Sequence, residues 1–256
     1  MIELVDTHCH IHFPDYGLDP EVVISSAQQA GVTRLICVGC TLNDSKLGIE
    51  MAARHDNIWA SVGLHPHEGK DYVNDSLALQ QFRELASSPK VVAIGETGLD
   101  YYYNHSDAED QKKLLRFQLD LALEHDLPLI FHVREAFDDF WEIFDEYQGL
   151  RGVVHSFSAG RKELDQVLER GLYIGLNGIM TFTKHQNQLD AAKAVPSGKL
   201  LLETDAPFLT PVPFRGNICK PEHVKSTAEF LCELRDESLE KLAEATTANA
   251  RKLFGF

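Results

Sequence analysis

Eight short apolar runs, each followed by a segment with helical spacing, constrain this chain more than any other feature of its sequence. The runs are residues 4–5, 35–38, 58–64, 91–94, 129–131, 153–154, 172–176 and 200–202. Runs this apolar suit parallel strands covered on both faces. Between them the spacing predicts helices near 45–55, 77–86, 106–125, 137–147, 162–170, 188–194, 221–234 and 238–254. An earlier helix opens at Asp19-Pro20, a capping acid and a first-turn proline, and closes at Gly31. The longest carries Leu114, Phe117 and Leu121 at spacings of three and four, which makes one apolar stripe. Eight strands alternating with helices predict an α/β fold, a (β/α)8 TIM-type barrel, with an open doubly wound sheet as the competing arrangement. The 256 residues contain no long linker and no low-complexity tract. They suit one barrel of about 250 residues, so the expectation is a single domain over 1–256.

Charge narrows the partners. Lysine and arginine number 24 against 39 aspartates and glutamates, a net charge of −15. An evenly acidic surface opposes broad coating of a duplex, so any role with nucleic acid must rest on a local site where cations offset the charge. No stretch approaches the roughly 18 apolar residues of a membrane span. The N-terminus lacks the basic start and apolar run of a secretory signal. With five cysteines, an odd number, the expectation is the reducing cytoplasm. The one CxxC, Cys37 to Cys40, has no second pair at zinc-ribbon spacing, and Cys37 sits in an apolar run as a small hydrophobe.

The ionisable residues gather where the runs end. The first leads into Asp6-Thr7-His8-Cys9-His10, the third into His65-Pro66-His67, and the fourth into Glu96-Thr97-Gly98-Leu99-Asp100. The fifth ends in His132-Val133-Arg134, the sixth in His155, and the eighth in Glu203-Thr204-Asp205. In a β/α barrel the site is built at the strand ends and the loops that follow them. One histidine there is ordinarily a satisfied polar residue. Six ionisable groups at matching ends are costly to bury without a compensating cation. The pattern therefore predicts a metal centre at these strand ends.

The spacing has a physical reason. Strand side chains alternate with period two, so His8 and His10 point the same way and can grip one ion, and Glu203 and Asp205 share a face. His12 has the same parity, so spacing alone leaves three candidates for that pair. Its position before a Phe-Pro loop places it at the rim. Imidazoles and carboxylates suit Zn²⁺, Mn²⁺ or Fe²⁺, and a carboxylate-rich site also admits Mg²⁺.

Taken in order, these strings resemble the TatD family of metal-dependent deoxyribonucleases, within the amidohydrolase-like barrel superfamily. The resemblance is carried by Asp-Thr-His-Cys-His at 6–10, Gly-Leu-His-Pro at 63–66 and Gly-Glu-Thr-Gly-Leu-Asp-Tyr at 95–101. It continues through His-Ser-Phe at 155–157, Glu-Thr-Asp-Ala-Pro at 203–207 and the closing Thr-Ala-Asn-Ala-Arg-Lys-Leu-Phe. It implies a first ion on His8 and His10 with Asp205 beside it, and Glu96 bridging to a second ion held by His132 and His155. The two divalent ions would be Mg²⁺, Mn²⁺ or Zn²⁺, and Asp205 and Glu96 would carry the catalysis. His65 would lie near the scissile phosphate, and Arg215 in the loop after the eighth strand would meet a substrate phosphate. The implied activity is 3′-to-5′ exonuclease action on DNA ends or single strands, with no membrane and no obligate protein partner. The chain departs from the pattern at His12, where an acid is common, and at 217–221, where relatives carry a more basic, acid-containing stretch.

Arg134 and Arg215 have guanidinium forks that match phosphate oxygens. Glu203 is placed to orient water or support an ion, and Tyr101, Tyr102 and Tyr103 could offer a ring to a base. The same centre could instead hydrolyse a carbonyl substrate such as D-aminoacyl-tRNA. The fourth strand has no lysine at its end, which counts against a general amidase. A non-enzymatic metal-dependent scaffold would have no need of all six ligands.

Overall fold

The eight apolar runs become eight strands. These are β1 (Leu4–Cys9), β2 (Val32–Cys37), β3 (Ile58–Val62), β4 (Val91–Asp100), β5 (Leu129–Arg134), β6 (Gly152–Val154), β7 (Tyr173–Leu176) and β8 (Leu200–Leu202). The computed structural model describes residues 2–103 and 105–256. The strands stand in one sheet in chain order, β1 to β8. That is the order of a (β/α)8 barrel, whereas an open doubly wound sheet reverses at a switch point. Every residue of β1, β4, β6, β7 and β8 is buried, as parallel strands under helices require. Among the described residues no helix is long and apolar enough to cross a membrane, and all five cysteines are free thiols.

The chain forms two compact units, residues 1–36 with 156–256, and residues 37–155. In the first, the last helix, Leu239–Phe254, starts at Ser238, whose side chain caps Lys241 N–H, and ends at Gly255 with φ +78°. Its inward face is not purely apolar. Thr247 Oγ1 donates to Glu3 O at 2.9 Å, and Asn249 Nδ2 donates to Ser197 O at 2.7 Å and Leu200 O at 2.9 Å. The backbone at the start of β1 and of β8 is thereby pinned to one helix.

In the second unit a core of Val62, Leu64, Phe82, Val91 and Leu114 packs under the helices. The helix Ala108–Glu124 buries Leu114 and Leu121 of the expected stripe, together with Gln111 and Gln118. Gln118 accepts from Leu64 N at 2.8 Å and donates to Leu64 O at 2.9 Å. Gln111 accepts from Asp100 N at 2.8 Å and donates to Asp100 O at 3.1 Å. Each amide pairs with backbone groups at or just beyond a strand end, where they would otherwise be buried and unsatisfied.

Three local features differ from the sequence expectation. β4 runs six residues past Ile94 and takes Glu96 and Asp100 into the strand. Its register with β5 shifts between Ile94 and Thr97, then resumes as Gly98 opposite His132 and Asp100 opposite Arg134. Gly95 falls within the shift, which has the form of a β-bulge, and Gly98 is paired beyond it. Gly98, at φ +151°, lies so close to β5 that a Cβ would strike the His132 carbonyl. The helix expected near 45–55 begins earlier, as Leu42–Arg54, because Thr41 and Asp44 form a reciprocal capping box. A short helix, Gly69–Tyr72, carries too few residues to show a period.

Replacing Gln118 by leucine leaves both backbone groups of Leu64 buried without partners. We expect urea unfolding to show a loss of about 2–4 kcal/mol. Unchanged stability would mean that water satisfies Leu64 instead.

Candidate metal centre

In the first unit the site begins with the backbone. Asp205 N donates to His8 O at 2.8 Å and His10 N donates to Ala206 O at 2.7 Å, so β1 and the residues after β8 stay paired beyond the strand ends. Cys9 and Ala206 form a parallel bridge in that stretch. Asp6 locks the same junction. One oxygen accepts from Thr204 N at 2.9 Å and His8 N at 3.2 Å, and the other accepts from Thr204 Oγ1 at 2.6 Å. Burial pushes the Asp6 carboxyl up to about 8 against the pull of these hydrogen bonds.

The junction brings three donor atoms together. His8 Nε2 and His10 Nε2 lie 3.1 Å apart. Asp205 Oδ1 lies 3.4 Å from the first and 3.3 Å from the second. Asp205 adopts φ +62°, a left-handed conformation that aspartate tolerates better than most residues. Phe13 stacks on the His10 ring at 4.6 Å. Two imidazole nitrogens this close to each other and to one carboxylate oxygen form a donor set that fits a divalent cation. The ring of His12 stands 6.1 Å from that of His10. Burial, and then His10 and His8, pull its pKa down to about 3, so it is a neutral imidazole. The tertiary structure thus pairs His8 with His10, a choice that parity left open.

In the second unit Glu96 is the centre. Its Oε1 lies 2.7 Å from His132 Nδ1, 2.8 Å from His155 Nε2 and 3.4 Å from His65 Nε2. His132 Nδ1 and His155 Nε2 are 3.2 Å apart. Donor atoms of His65, Glu96 and His132 lie within 4.8 Å of one another, a spacing that could hold an ion. Burial alone would raise the Glu96 carboxyl. The charges of His155 and His65 and hydrogen bonds from His132 and His155 outweigh it and hold the group well below the usual carboxylate range. His65 itself is pulled down to about 4 by burial. The Cys40 thiol also faces this group, with Sγ 3.6 Å from Glu96 Oε2.

The other nitrogen of His132 meets Asp100. Asp100 Oδ2 lies 3.0 Å from His132 Nε2 and 3.0 Å from His67 Nε2. Burial opposes ionisation of Asp100, but hydrogen bonds from His132, His67 and Tyr103 N–H bring its pKa far below the ordinary value. Burial likewise works against the His132 cation, and the bonds to Asp100 and Glu96 raise its pKa. A carboxylate behind an imidazole fixes the ring and makes its forward nitrogen a better ligand. Sequence reasoning placed Asp100 and His67 at strand ends without a role. The available signal was parity: Asp100 shares a strand face with Glu96, and His67 follows His65 by two.

The remaining sequence candidates separate. His65 joins the Glu96 group. Arg134, at the end of β5, lies 3.9 Å over the Tyr102 ring. Arg215 lies 3.8 Å over the Phe182 ring and donates to Thr210 O at 2.8 Å. Glu203 is buried, and its Oε1 accepts from the backbone N–H of Ser156. That contact holds the peptide directly after His155. Of the tyrosines, Tyr101 Oη donates to Asp139 at 2.7 Å, while Tyr102 and Tyr103 stay half exposed.

Comparison with known proteins gives one consistent result. Residues 5–255 match the family described as TatD related DNase. The chain is 37% identical over 253 residues to the metal-dependent hydrolase YabD of Bacillus subtilis, covering 98% of each. It is 34% identical over 261 residues to the 3′-5′ ssDNA/RNA exonuclease TatD of Erwinia tasmaniensis, covering 98% of this chain and 99% of that one. The crystal structure of YjjV, a TatD homologue from Escherichia coli, superposes with a TM-score of 0.92 at 32% identity, over 99% of this chain and 98% of that one.

Asp100→Asn keeps the shape and removes the charge behind His132. Calorimetric titration of metal-stripped protein with Mn²⁺ or Zn²⁺ is expected to show affinity lower by about 10- to 100-fold. Wild-type affinity in that variant would mean that Asp100 does not set the ligand.

Proposed function

The chain belongs to the TatD-related DNase family, and from that premise we propose that it is a two-metal phosphodiesterase that shortens single-stranded DNA, or DNA ends, from the 3′ terminus. It is a metal-dependent hydrolase of the TatD family. The observation that carries the finer reading is the pair of donor groups at the strand ends. One is His8, His10 and Asp205, and the other is Glu96, His132 and His155. Relatives named 3′-5′ ssDNA/RNA exonuclease support the substrate class and the polarity.

His8 and His10, with Asp205, would hold one ion in this reading. Glu96, His132 and His155 would hold a second. Mg²⁺, Mn²⁺ and Zn²⁺ all suit the donors. When bound, the ions supply a water acidic enough to ionise near neutral pH and positive charge for the phosphate oxygens.

The protein's own groups do the rest. Asp205, with 15% of its side chain exposed, accepts the proton of the attacking water, because an acceptor must reach both the centre and the solvent. Asp100 keeps His132 turned so that Nδ1 faces Glu96. Arg134 and Arg215 meet phosphates of the strand, and His65 turns toward the scissile group from beside Glu96. Glu203 keeps the backbone after His155 in place. With free thiols throughout, a reducing compartment such as the cytoplasm suits the chain.

End-labelled single-stranded DNA, incubated with metal-stripped protein and then with Mg²⁺, Mn²⁺ or Zn²⁺, tests the reading. A ladder shortening from the 3′ end only after metal is restored is expected, with kcat lower by about 10²- to 10⁴-fold in Asp205→Ala. Folded, metal-loaded protein that leaves the strand intact would overturn the proposal in favour of carbonyl hydrolysis.

A further inference from the structure

We propose that Tyr102 and Arg134 form a subsite for one unpaired nucleobase of the strand and the phosphate beside it. The inference rests on the nuclease reading and adds to it the place where a nucleotide is gripped.

Tyr102 and Tyr103 are 51% and 44% exposed, among the few large rings of the chain left to solvent. Rings kept for packing are buried. These are instead held by their backbone: Tyr102 N and Tyr103 N each donate to Asp100 Oδ1 at 3.0 Å. The other oxygen of the same carboxylate meets His132. One side chain therefore ties the exposed rings to a donor of the Glu96 group, and their position relative to His132 is set.

The two rings are not equivalent. Tyr103 is already engaged, with the His105 ring stacked on it at 5.7 Å and 18° and the Arg134 guanidinium 4.8 Å from its centroid. Tyr102 carries Arg134 at 3.9 Å and meets Tyr103 only edge-on, at 4.7 Å and 89°. Among the described residues no ring stacks face to face on Tyr102. It is the more exposed of the two rings and the one that no other ring stacks on among the described residues.

Arg134 supplies the second half. It is opposite Asp100 in the β4–β5 register and two residues after His132, so it shares the face of β5 that carries the Glu96 group. In a chain of 39 acids and 24 bases, Arg134 forms no ion pair among the described residues. Stacking on a ring satisfies the guanidinium face and leaves its N–H edge for oxygen acceptors. A flat uncharged ring beside an unneutralised, edge-presenting cation matches a base and its adjoining phosphate. A base within a duplex is already stacked on both sides, so the subsite selects an unpaired one.

The test uses metal-loaded full-length protein and single strands that are identical except for an abasic residue at the last, second or third position from the 3′ end. Strand binding in the presence of EDTA provides a second readout that does not need turnover. Loss of the base at one of these positions is expected to lower kcat/KM and metal-free affinity roughly 5- to 150-fold for the wild type. In Tyr102→Ala the ratio between intact and abasic strands is expected to fall toward one, and in Tyr102→Phe to stay as in the wild type. Matching thermal unfolding curves confirm that both variants fold. Cleavage by the wild type that ignores the missing base, or a Tyr102→Ala ratio equal to that of the wild type, overturns the subsite and leaves the nuclease reading standing. Failure of the wild type to cleave or bind any strand overturns both.

Discussion

A carboxylate taken out of water costs several kcal/mol unless donors surround it. That requirement organises the functional ends of this chain. Asp6 meets it only in part, with the Thr204 backbone and hydroxyl and the His8 N–H. Asp100 meets it with two imidazoles and two backbone N–H groups, and Glu96 with His132 and His155. Neither Asp6 nor Asp100 is a proposed metal ligand, yet each determines where ligands stand. Asp6 sets the junction that carries His8 and Asp205, and Asp100 turns His132 and anchors the tyrosines. At Asp100 and His132 the hydrogen bonds outweigh burial and favour the charged form of each. For Asp6 burial wins, and the carboxyl keeps its proton up to about pH 8.

The helices contribute to the same ends in an unexpected way. Sequence patterning assigns their inward faces to leucine and phenylalanine, but Gln111, Gln118, Thr247 and Asn249 also lie there. Gln111 and Gln118 satisfy backbone groups where β4 and β3 end, and Thr247 and Asn249 do the same where β1 and β8 begin. A buried amide with all its partners adds direction that an apolar contact lacks. The strands that carry Glu96, Asp100 and His65 are consequently held at the very point where the polar side chains begin.

The chemistry also resolves a tension in the composition. A chain with a net charge of −15 is an unpromising ligand for a polyanion. The proposed function answers this locally, through cations held by the two donor groups and through Arg134, which no carboxylate neutralises among the described residues. Long-range repulsion then disfavours coating of a duplex while a strand end can still enter a short, positively compensated site.

The barrel was legible because covering parallel strands on both faces forces apolar runs, and eight of them alternate with helices. The strand ends were legible as the place of the proposed centre because period-two spacing is written in the order of residues, and the family resemblance added which six ligands to expect. The pairing of His8 with His10 rather than His12 was not, since all three share parity and only the fold brings Asp205 to two of them. The reach of β4 through Gly95 and Gly98 to Asp100 was hidden for a similar reason. Glycines argue locally for a loop, and it is pairing to β5 and to the Gln111 side chain that keeps the segment extended. The sequence by itself determined which residue types end each strand. The tertiary structure decided which of them face each other, because parity orients a side chain only within its own strand, whereas a donor set depends on distances between strands.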